Sequence, residues 1–113
     1  MLYSEIQMLK DLAKEEIYLK NILRNIEKYN LRHNVECKTY SKDKVSNMLK
    51  TVQEKRSILT AELNDLLADA PISSEMAKKI KLYYIDDKTT SHISSRGFNI
   101  ENFHREVKDL LYR

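Results

Sequence analysis

The stretch VSNMLKTVQEKRSILTAELNDLLADA, residues 45–70, decides the fold. Val45, Leu49, Val52, Leu59, Leu63, Leu66 and Ala70 recur in it at steps of four and three, and Arg56 fills the one remaining place. That is the period of a helix with a narrow apolar seam. Ser41 is placed to cap its start, Asp43 suits its first turn, and Pro71 ends it, so a helix is predicted over 42–70.

Upstream, Met8, Leu12, Leu19, Ile22, Ile26 and Tyr29 keep the same period, with Leu9 and Leu23 widening the stripe. A first helix is predicted over 4–29. Its seam is broken once, where Glu15 and Glu16 stand. Residues 30–41 carry no period and read as a loop. Folding the chain back about residue 36 sets Ile26 against Val45, Leu19 against Val52, Leu12 against Leu59, Leu9 against Leu63 and Ile6 against Leu66. The same fold sets Glu15 or Glu16 against Arg56. An antiparallel hairpin with a Glu–Arg pair across its seam follows. Such a pair fixes register, because a slipped pairing strands both charges against apolar neighbours.

Downstream of Pro71 the pattern shortens. Ser73 or Ser74 can cap a third helix, with Ile72 as a staple and Met76, Ile80 and Tyr83 or Tyr84 as its inner face. Asp86, Asp87 and Lys88 make a turn. Thr89 or Thr90 can cap a short helix around His92 and Ile93, and Gly97 breaks it. Asn99 can cap a last helix whose apolar side is Ile100, Phe103, Val107, Leu110 and Leu111. The expected fold class is all-α: a helical hairpin over 1–70, then a small helix-turn-helix-like unit over 71–113.

Composition agrees. One glycine and one proline in 113 residues leave few tight turns and favour long helices. The formal net charge of +3 is mild and spread thinly, zero over 1–36, +1 over 37–70 and +2 over 71–113. A nucleic-acid role therefore depends on where cations point rather than on their number.

Residues 76–113 resemble the helix-turn-helix of sigma-factor region four and the related module of phage late-gene regulators of the ArpU and RinA type. The residues that carry the resemblance are the run Leu82-Tyr83-Tyr84-Ile85, the short helix around Ile93, the turn Gly97-Phe98-Asn99, and Phe103 and Val107. The turn is one residue shorter than the family pattern, and Arg96 stands where that pattern has a leucine. The resemblance implies a small transcription regulator of a prophage or other mobile element that binds double-stranded DNA. The helical hairpin is expected to present this module and to join two copies as a homodimer. Its last helix would enter the major groove. Asn102 and Arg105 would meet base edges, with Asn99 and Lys108 beside them, and Glu101 could accept from cytosine. Lys88, Thr89, Thr90 and Arg96 would sit nearer phosphates.

Other chemistry is thin. His33, His92 and His104 lack metal-ligand spacing, and Cys37 has only His33 near it. No phosphate loop or nucleophile elbow is present, so no cofactor, no metal and no enzyme activity are expected. Without a signal pattern or a membrane-length apolar run, a soluble cytoplasmic protein is expected. Of the seven tyrosines, Tyr83, Tyr84 and Tyr112 are expected to pack the C-terminal unit, and Tyr3, Tyr18 and Tyr40 to lie at the surface. Exposed tyrosines enrich protein interfaces. The rival readings are an inhibitor or adaptor that binds a host or phage protein, and a packaging protein of the small-terminase kind.

Overall fold

The computed structural model describes residues 1–26, 28, 41–94 and 98–112 of the chain. They are helical throughout, with no strand among them. Two long helices, α1 (Tyr3–Arg24) and α2 (Lys42–Asp69), pack along each other. Then come α3 (Ser74–Ile80), which runs on into a π-helical turn (Lys81–Ile85), a single-turn α4 (Thr90–Ile93) and α5 (Ile100–Leu111). The loop expected over 30–41, with His33, Cys37 and Tyr40, lies outside the described residues apart from Ser41.

The starts of the helices follow side-chain chemistry. The Ser41 hydroxyl accepts from the Lys44 N–H, the Ser73 hydroxyl from the Met76 N–H, and the Asn99 side chain from the N–H groups of Glu101 and Asn102. Each satisfies a donor that has no partner inside its own helix. Leu2 precedes α1 without an acceptor of its own, but its N–H donates to the Glu5 carboxylate at 2.8 Å. Ala70, held before Pro71, is extended at φ −76° and ψ 140°, which ends α2 as expected. α1 ends earlier than expected, at Arg24. Asn25 leaves helical geometry with φ −123°, and its side-chain amide donates back to the Asn21 carbonyl at 3.1 Å. This is the local competition by which asparagine disfavours helix interiors.

Burial shifts the seam from its expected line. On α1 the buried residues are Ile6, Leu9, Leu12, Ala13, Glu16, Leu19 and Ile22, while Met8 is exposed. On α2 they are Val45, Val52, Leu59, Leu63 and Leu67, with Leu66 and Ala70 only half-buried. The reason is a third layer. Ile6, Lys10 and Ala13 form one stripe of α1, and Lys10 bonds to the C-terminal unit. Arg56, Thr60, Leu63 and Leu67 form the matching stripe of α2, and Arg56 bonds to it too. Each long helix therefore buries the flank of its seam that faces that unit. The core is one apolar cluster from Ile6 to Val107, joining the hairpin to Ile80, Tyr84, Ile93 and Phe103.

Candidate nucleic-acid interface

α5 is the element on which a DNA reading rests. Phe103 and Val107 are its buried side. The Phe103 ring meets Tyr83 edge-on at 5.5 Å, lies parallel to Tyr84 at 6.2 Å and tilts against Phe98 at 5.9 Å. Aromatic pairs at these separations fix a helix in rotation as well as position. The Tyr84 hydroxyl lies 3.2 Å from His104 Nδ1. Burial, then the neighbouring Tyr3 and Tyr83, push the Tyr84 phenol far up. Burial, then the charges of Lys108 and Lys10, hold His104 below its usual value. A neutral imidazole accepts the tyrosine proton at Nδ1, and an imidazolium cannot.

With that side fixed, α5 turns Glu101, Asn102, Arg105, Glu106 and Asp109 to solvent. Asn99 is exposed, but its side-chain oxygen is committed to the cap. Lys108 is exposed and holds its ammonium 4.9 Å from the centre of the Tyr3 ring, so it leans toward α1. Lys88, Thr89 and Thr90 are exposed at the start of α4. The Thr89 hydroxyl is 2.8 Å from both Ser91 Oγ and His92 Nδ1, so it bonds to neighbouring side chains and does not cap α4. Arg96 and Gly97 lie outside the described residues. The exposed side of α5 thus brings Asn102 and Arg105 together and interleaves them with three carboxylates.

What aims this surface is a polar joint between the hairpin and the end of the π-helical turn. Arg56 does bridge the hairpin: its Nη1 donates to Glu16 Oε2 at 2.5 Å, while Glu15 is exposed. Its Nη2 also donates to the Ile85 carbonyl at 2.6 Å. Glu16 accepts further from Gln53 at 3.1 Å and pairs with Lys20 at 3.3 Å. Burial raises the Glu16 carboxyl, but the hydrogen bonds from Gln53, Arg56 and Lys20 outweigh it, so the group sits below the ordinary carboxylate range. The second anchor is Lys10. Its Nζ pairs with Asp87 at 3.0 Å, donates to the carbonyls of Tyr83 at 2.8 Å and Lys88 at 3.3 Å, and lies 3.7 Å from the centre of the Tyr83 ring.

These cations stand where a helix ends, which is where its carbonyls lack partners and its dipole is negative. Widening the last turn to i→i+5 bonding, as in Asp86 N–H to Lys81 O, accompanies this outward pairing. Asp87 then takes φ 51°, a left-handed geometry that aspartate tolerates better than most residues. The role of Lys10 and Asp87 was not among the sequence expectations. The signal was present: Lys10 is a lone cation between Ile6 and Ala13 on one helical stripe.

Among the described residues no group of three or more His, Cys, Asp or Glu side chains is placed to hold a metal, and no helix is long and apolar enough to cross a membrane. Comparison with known proteins finds no matching family model, no matching curated protein and no matching solved structure.

Proposed function

We propose that this chain is a small DNA-binding protein that reads the duplex with the N-terminal half of α5, in the manner of a helix-turn-helix transcription regulator of a mobile element. The observation that carries the reading is the setting of α5. It follows the short α4, is held by Phe103 and Val107, and turns Asn102 and Arg105 outward together. These are the side-chain types that pair in bidentate fashion with adenine and guanine edges. Lys88, Thr89 and Thr90 are exposed at the start of α4, and side chains of these types suit contacts to backbone phosphates.

The test is binding of the purified chain to mixed-sequence duplex DNA, followed by selection of preferred sites. Expected is a retarded band that fades as salt rises, since phosphate contacts release counterions. Arg105→Ala should lose sequence preference, and Lys88→Ala should weaken all sequences alike. No retardation at low salt on any duplex would overturn the proposal.

One observation favours a second reading. Glu101, Glu106 and Asp109 share the exposed side of α5 with Arg105, and carboxylates repel a phosphate backbone. A surface of alternating sign suits a protein partner, so α5 would then be a recognition helix for another polypeptide. Co-purification of one defined protein, lost in Arg105→Ala and free of nucleic acid, would select this reading.

A further inference from the structure

α2 carries a second row of residues beside its buried seam. From Lys44 through Met48, Ile58 and on to Asp69 the row advances by fours and threes, and every position in it is exposed. Met48 is 44% and Ile58 61% exposed. By helical spacing the row lies on the opposite side of α2 from Gln53, Arg56 and Thr60, which line a recess against Ile85. Its charges are sorted. Lys44 and Lys55 occupy the N-terminal half, and Glu62, Asp65 and Asp69 the C-terminal half. The whole helix follows the same rule: residues 42–55 hold four cations and two carboxylates, and residues 56–69 hold one cation and three carboxylates.

This order runs against the field of the helix itself. A helix dipole favours carboxylates at the start and cations at the end. Asp43 obeys at the start, but the last turn of α2 has no basic residue and ends on Asp69. The pattern is complementary to its own reverse. We infer that the row is a docking surface for a second copy of this chain, with the two α2 helices antiparallel about a two-fold axis that passes between Lys55 and Ile58. Lys44 then faces Asp69 of the second copy, Lys55 lies beside its Ile58 and Glu62, and both ends of the helix meet the charge their dipole favours. Parallel pairing sets cations on cations, so the sign pattern selects the orientation. The contact is isologous and closes at two copies. With Met48 and Ile58 as its apolar members, the association is weak and salt-sensitive. It is independent of whether α5 binds DNA.

The test is sedimentation and light scattering of the intact protein, without nucleic acid, from micromolar to submillimolar concentration at low and high salt. Expected is a dimer that weakens as salt rises. Lys44→Glu and Asp69→Lys, both at exposed positions and checked for unchanged helicity, should each weaken it about tenfold, because the two-fold axis repeats every contact. The double variant Lys44→Glu/Asp69→Lys restores opposite signs and should recover the association. A monomer at every concentration, a dimer that neither reversal weakens, or a double variant that stays weak would each overturn the inference.

Discussion

The hairpin seam and the C-terminal unit are held by different physics. The seam is a long apolar ladder from Ile6 to Leu67 with one polar rung, Glu16 with Arg56. The C-terminal unit is a small aromatic knot around Phe103 whose outer edge is tied by backbone carbonyls to two hairpin cations. In the first, many equivalent contacts share the load. In the second, a few particular ones carry it. Single substitutions should therefore be milder in the hairpin than in the knot.

The largest effect is expected from Phe103→Ala. Removing a ring that is 3% exposed costs about 3–5 kcal/mol in a packed core. Hydrogen exchange should show amides of α5 and the π-helical turn losing protection ahead of those in α2. Uniform loss across the chain would mean that the two regions are one cooperative unit and the contrast is false.

Arg56→Met comes next, at about 1–3 kcal/mol by chemical denaturation, because it removes one of the partners of Glu16 and the side-chain donor to the Ile85 carbonyl together. Adding Glu16→Leu should recover part of that loss, as replacing both members of a partly buried pair is milder than removing one. The Ile85 carbonyl stays unpaired in both variants, so recovery should be incomplete. Full recovery would show that the carbonyl anchor contributes nothing.

Lys10→Met removes an ion pair and two carbonyl bonds that are partly solvated, so about 1–2 kcal/mol is expected. The informative readout is local: the Lys88 N–H, which donates to the Leu82 carbonyl, should exchange faster while α2 is unchanged.

The gentlest probe is pH, and it separates the regions by window. His104 is depressed in the folded chain, so its contribution is present above the unfolded value, about 6.5, and is lost as pH falls from there through the folded value. Glu16 is also depressed. Its contribution is present above the unfolded value, about 4.3, and is lost as pH falls through the lower folded value. Denaturation midpoints should fall in two steps, the upper one removed by His104→Gln and the lower one by Glu16→Gln. A single step insensitive to His104→Gln would mean that the burial of His104 beside Lys108 and Lys10 does not reach stability.

How much of this was legible follows from the same contrast. The extent of α2, its caps and its end at Pro71, and a Glu–Arg pair across the hairpin, are readable because periodicity and capping are local rules. The break at Asn25 and the exposure of Met8 were not, because the first depends on the Asn25 side chain bonding back to Asn21 and the second on the layer that packs beside α1. The candidate interface was legible as residue types, Asn102 and Arg105 on a helix anchored by Phe103. The aim of that helix was not, since Lys10, Arg56 and the carbonyls of Tyr83 and Ile85 come together only once the chain is folded.

The joint has a mechanical meaning. A body fastened at one point swivels, and one fastened at two points turns only about the line between them. Lys10 and Arg56 are two such fasteners on the end of the π-helical turn. The Phe103 ring, packed on Tyr83 and Tyr84, adds a contact that ties α5 to the same turn. Whatever meets α5 meets a bracket rather than a hinge. The freedom given up on contact, which weakens most recognition by small domains, is on this side already surrendered during folding. Any accommodation between the two must come from the other party.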